Sequence, residues 1–151
     1  MCDQKQCVKD IFVDNCASRN FANPSDSHYK QFFRWLFDEG VLVVSRNLLN
    51  EYGRSCGSYT GTNISALVNN LTREGRLIVF KKTQLNAFVI KKHVKRQLMS
   101  NSADHIHIKV VMLSHRRLAI TEDKPLIRDI NWFPGYAARA VDRPEKIDYR
   151  T

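Results

Sequence analysis

The chain has 151 residues, of which 43% are hydrophobic and 26% charged, and its 24 Lys and Arg outnumber its 15 Asp and Glu to leave a net charge of +9. A length near the usual size of one domain and this ordinary composition exclude a disordered, collagenous or low-complexity chain. No apolar run approaches the ~18–20 residues that cross a bilayer, and the basic excess points to polyanionic partners, nucleic acid first among them.

Residues 11–13, closed by Asp14-Asn15, are predicted as a short buried strand. After a polar loop with Pro24 and Ser25, apolar residues at Tyr29, Phe32, Phe33, Leu36 and Phe37 predict an amphipathic helix over 28–39, ended by Gly40. Residues 41–44 form the second predicted strand. Ser45 is placed to cap a helix that carries Leu48, Leu49 and Tyr52 on its apolar side. Gly57 and Gly61 interrupt the chain before a helix over 64–71, which Gly75 closes. Residues 77–80 are the third strand. Residues 84–98 are expected as one helix, with Ile90, Val94 and Leu98 four apart. Ser102 caps a helix over 103–115, and residues 118–121 form the fourth strand, with Glu122 and Asp123 directly behind it. Beyond it lie Trp132-Phe133-Pro134, read as core cover, and a mixed-charge tail. The domain is therefore drawn over 1–133, with 134–151 packing on it or extending from it.

Residues 1–10 are polar and contain acids, unlike a signal peptide, so a reducing cytoplasm is expected and Cys2, Cys7, Cys16 and Cys56 are read as free thiols. The sequons at Asn63 and Asn70 are then chance matches. No C-x-x-C occurs, and His105 and His107 lie two apart on a helix, where side chains do not face one another, so a zinc site is not expected.

Short, unalternating apolar strands separated by helices predict an α/β fold with a small, mainly parallel sheet covered on both faces. In such sheets ligands sit outside the carboxyl ends of the strands. Asp14 and Asp123 follow strands there, and Glu51 and Asp104 lie on the helices that can reach the same edge. Carboxylates gathered at one point repel, and a divalent cation that prefers oxygen ligands, Mg²⁺ or Mn²⁺, removes that cost. A basic surface around such a cluster is a nuclease design: the cations hold the phosphate backbone and the acids hold the metal.

Ile11-Phe12-Val13-Asp14-Asn15 resembles the opening strand and first acid of PIN-domain nucleases. Residues 41–52, ending in Glu51-Tyr52, resemble that family's second strand and helix. Residues 103–108 resemble its third-acid helix, and residues 118–126 its last-acid strand and turn. The resemblance spans roughly residues 8 to 133 in the family's order of elements. It implies a PIN-like α/β domain and Mg²⁺- or Mn²⁺-dependent hydrolysis of phosphodiesters, usually in RNA. Carried over by position, Asp14, Glu51, Asp104 and Asp123 would be both metal ligands and catalytic acids, with a metal-activated water as nucleophile. An antitoxin or other protein partner, or a second copy of the chain, is admitted by the resemblance to small toxin-like members. Asn15-Cys16 departs from the family, which often places a Thr or Ser after the first acid, and Glu122 competes with Asp123 for the last position.

Between Glu74 and Asp104 there is no acidic residue, while Arg76, Lys81, Lys82, Lys91, Lys92, Lys95 and Arg96 are basic. Lys91, Lys92, Lys95 and Arg96 fall away from the apolar stripe of the 84–98 helix and are either a phosphate-binding face or a solvated one. Two other functions compete with the nuclease: an inactive PIN-like module that binds RNA or protein, and a nucleotide-binding domain. Asn15-Cys16-Ala17-Ser18 stands where the latter needs a Gly-rich phosphate loop.

Overall fold

The computed structural model describes residues 8–54 and 59–151; Cys2, Cys7, Cys56 and Gly57 lie outside the described residues. Its strands are β1 (Asp10–Val13), β2 (Val41–Ser45), β3 (Leu77–Phe80), β4 (Leu118–Ile120) and β5 (Arg139–Val141). They form one all-parallel sheet in the order β3-β2-β1-β4-β5. Every residue of β1 and β2 is buried, which is why these strands read as unbroken apolar runs rather than alternating ones. The fold class is therefore α/β, as the strand and helix pattern predicts.

Behind β1 come the single turn α1 (Asn15–Ser18) and then α2 (Ser27–Asp38). Asp26 caps α2 by accepting from the Tyr29 N–H, and Tyr29, Phe32, Trp35 and Leu36 are its buried face. Gly40 follows the helix end where a side chain has no room: a Cβ there would lie 2.7 Å from the Trp35 ring. Arg76 is not part of a cationic surface. Its buried guanidinium donates to the carbonyls of Leu36 at 2.7 Å, Gly40 at 2.6 Å and Phe37, satisfying the unpaired carbonyls that end α2.

The Ser45 hydroxyl accepts from the Leu48 N–H at 3.1 Å and starts α3 (Arg46–Arg54), as its position predicts. Next is α4 (Tyr59–Arg73), longer than the 64–71 expected; Gly61 lies inside it and does not interrupt it. Gly75 takes φ +69° in the turn into β3, a conformation that costs glycine nothing. Both sequon asparagines are engaged: Asn63 donates to the Phe21 carbonyl and the buried Asn70 to that of Phe37.

The single helix expected over 84–98 is instead two short ones, α5 (Lys82–Ala87) and α6 (Lys92–Lys95). Phe88 leaves helical geometry and packs its ring against Phe133 and Tyr136. Packing of that ring, together with the β-branched Val89 and Ile90 that follow, outweighs helix continuity. Of the apolar repeat Val94 is buried and Ile90 and Leu98 are partly buried against the core, while Leu85 anchors the first of the two pieces.

The helix expected over 103–115 is also shorter. A 3₁₀ turn, Ser102–Asp104, leads into α7 (His105–Leu113), and Asp104 takes the cap position without a side-chain cap bond. The helix stops because the backbone N–H groups of His115 and Arg116 turn to the buried Asp10 carboxylate, at 2.7 and 3.0 Å. After β4 comes α8 (Lys124–Trp132), with Asp123 at its N-cap and Pro in its first turn. The residues drawn as a tail supply β5, paired with β4 through Ala119 and Ala140, so the sheet continues past the boundary at 133. Among the described residues no helix is long and apolar enough to cross a membrane.

Candidate metal centre

The chain builds β1, β2 and β3 in one direction and then returns across β1 to add β4 and β5 on its other side. At that reversal the loops leaving β1 and β4 diverge and open a crevice at the carboxyl edge. Asp14 leaves β1 at this point, and Thr121, Glu122 and Asp123 leave β4.

Asp14 is held from several sides. Its backbone N–H continues the ladder to the Ile120 carbonyl at 2.9 Å. Oδ1 accepts from the Asn15 N–H at 2.8 Å, and Oδ2 accepts from the buried Thr121 hydroxyl at 2.7 Å. The Cys16 thiol lies 3.5 Å from the same Oδ2. Burial first, and then the Asp14 charge, push that thiol above its ordinary value, so it stays protonated beside the carboxylate. No hydroxyl follows Asp14 directly, since Asn15 and then Cys16 stand there, but Thr121 supplies one from the neighbouring strand.

Glu51 reaches the crevice from α3. The next residue, Tyr52, is fully buried, and its hydroxyl donates to the Val13 carbonyl, which ties α3 to the end of β1. His107, buried on α7 against the Phe12 ring, points its Nε2 to within 3.5 Å of Glu51 Oε1. Ligand atoms of Asp14, Glu51 and His107 all lie within 4.8 Å of one another, the one such set of His, Cys, Asp and Glu among the described residues. Burial drives the His107 imidazole toward its neutral form, but hydrogen bonding to Glu51 and the charges of Asp14, Glu51 and Asp104 outweigh it and hold its pKa above the usual value.

Asp104 and Asp123 stand outside that sphere. Asp123 accepts from the Leu126 N–H at 3.2 Å, so its carboxylate caps α8. Asp104 is close enough to sense the whole cluster. Burial raises its pKa, the charges of Asp123, Asp14 and Glu51 raise it further, and His107 opposes them. Asp14 and Glu51 therefore come together as expected, Asp104 and Asp123 border them, and the third member of the close set is His107, where carboxylates alone were expected. The signal for His107 was present: it lies three residues after Asp104, which sets both on one face of α7. Glu122 is turned away, with its Oε1 accepting from Asn20 at 2.7 Å.

Lys91, Lys92, Lys95 and Arg96 are all exposed, but they lie along the break and around α6 rather than on one face of a long helix. No family model, curated protein or solved structure matches the chain.

Proposed function

We propose that this chain is a PIN-like, metal-dependent ribonuclease, carried by the convergence of Asp14, Glu51 and His107 within 4.8 Å at the strand-order reversal of a basic α/β domain. The donor set fits a divalent ion: two carboxylates and a buried imidazole whose Nε2 is directed at Glu51. Oxygen donors suit Mg²⁺ and Mn²⁺ alike, and the imidazole nitrogen favours Mn²⁺. A divalent ion held there supplies Lewis acidity, lowering the pKa of water and offsetting the charge that builds on a phosphodiester under in-line attack.

The protein's own groups do the positioning. Thr121 and the Asn15 N–H fix the two Asp14 oxygens, so the carboxylate meets an ion without losing rotamer freedom. Tyr52 locks the helix that carries Glu51. Asp104 and Asp123 add negative potential at the rim, which concentrates cations at the crevice. Lys91, Lys92, Lys95 and Arg96 offer contacts to the phosphates of a single strand. A free Cys16 thiol suits a reducing cytoplasm.

The test is Asp14→Asn in purified protein with Mn²⁺ and single-stranded RNA. Cleavage falls at least ~100-fold, more than the loss of a ligand's supporting partner usually costs, while the circular dichroism spectrum stays unchanged. A wild-type protein that binds RNA but does not cleave it with Mn²⁺ or Mg²⁺ is instead the inactive binding module, a reading favoured by Asn15-Cys16 standing where the family often has a hydroxyl and then an Asn.

A further inference from the structure

The face of α7 opposite Asp104 and His107 carries a second feature. His105, Ile106 and Lys109 line a cleft of about 390 Å³ together with Asn86 of α5, Val89 of the segment that links α5 to α6, and Lys95 of α6. Its size falls within the ~300–1,000 Å³ of small-ligand clefts. Ile106 and Val89 give it apolar walls, and Val89 is 77% exposed. His105 and Asn86 each offer groups that can donate or accept, while Lys95 and Lys109 are cationic. His105 Nε2 is shielded from solvent and has no hydrogen-bond partner in the protein.

We infer that this cleft holds an unstacked base of the RNA strand whose cleavage is proposed above, a reading on which the inference rests. Apolar walls suit the faces of a base, and mixed donor–acceptor side chains suit its edge. An acidic peptide would need donors alone, and it would leave the walls without a partner. Lys95 and Lys109 are placed for the phosphates on either side. The cleft and the acids lie on opposite faces of α7, so a strand that reaches both has to pass around this helix. The base held in the cleft is therefore not at the scissile bond but further along the strand. Choice of RNA sequence then comes from α7 and the α5–α6 segment, not from the metal ligands.

The experiment measures binding of A, C, G and U homopolymeric hexanucleotides by fluorescence anisotropy in EDTA, which silences cleavage. Wild-type protein prefers one base over the weakest by at least fivefold. His105→Ala, Lys109→Ala and Val89→Asp each lower affinity for the preferred hexamer about fivefold or more and flatten the preference. Mn²⁺ affinity, read by isothermal titration without RNA, stays at the wild-type value. Val89→Asp lies at an exposed position and reports on the cleft even where the other variants fold poorly. Equal affinity for all four hexamers, or unchanged affinity in Val89→Asp, overturns the proposal. So does polyglutamate of matching charge that binds with the same dependence on His105. Base preference lost in the variants while wild-type protein shows no metal-dependent cleavage upholds the cleft and sinks only the nuclease reading.

Discussion

Thr121 shows how much of the centre depends on a side chain that binds no metal itself. It is buried, it donates to Asp14 Oδ2, and its Oγ1 also accepts from the Asp123 N–H at 3.2 Å, so one hydroxyl orients the central acid and the turn after β4 together. Thr121→Val keeps the shape and removes both bonds. Mn²⁺ affinity, measured by titration calorimetry, is expected to fall ~10–100-fold, with a stability loss of ~1–2 kcal/mol in urea unfolding. Asp14 and Glu51 were legible from sequence because each follows a strand or its capped helix at a position that chain topology alone defines. Thr121 was not, since a threonine closing a strand looks like an ordinary turn residue until the strands are ordered, and the one signal for His107, its spacing of three from Asp104, was masked by its apolar neighbours Ile106 and Ile108.

At the scale of elements, the ends of α2 and α8 are built by side chains from distant parts of the chain. Gly40→Ala drives a methyl into the Trp35 ring and is expected to cost ~1–3 kcal/mol by denaturant unfolding, without changing metal affinity. On α8, Asp129 is fully buried and accepts from the backbone N–H groups of Met99 and Ser100 and from Arg128, fixing the segment that leads into α7. Burial alone would raise its pKa; the bonds from Ser100, Met99 and Arg128 win and hold it below the usual carboxylate range. Its stabilisation is therefore complete above the ordinary carboxylate pKa and is lost as pH falls through the lowered value. Asp129→Asn should flatten that acid limb of a stability–pH curve and cost ~1–3 kcal/mol near neutrality. Strands β1 to β4 were readable because buried parallel strands are apolar runs bounded by turns. Helix α8 had a signal in Asp123-Lys124-Pro125 followed by Leu126 and Ile130, a cap, an early proline and a helical spacing. Strand β5 had none, since Arg139-Ala140-Val141 is too short to show a period. The 84–98 helix failed for the reverse reason: a spacing of four over Ile90, Val94 and Leu98 suggested a helix, but the chain leaves helical geometry at Phe88 and resumes it only over Lys92–Lys95.

For the whole molecule, charge and topology divide the work: the carboxyl edge of the sheet gathers acids, and the segment around α6 gathers exposed cations. Reversing Lys91, Lys92, Lys95 and Arg96 to Glu is expected to weaken RNA binding and to lower the slope of log K against log salt by about 0.7 for each residue that meets a phosphate. An unchanged slope in anisotropy titrations would assign those cations to solvent. The position of β1, between β2 and β4, has one more effect. Asp14 is made before its Thr121 partner, which lies 107 residues further on, and β1 pairs with β4 through Phe12 with Ala119 and Val13 with Ile120. A chain still threading the ribosome cannot close this crevice until β4 is free of the exit tunnel. Any RNA-cutting capacity it has is therefore withheld until β4 has been made and has paired with β1.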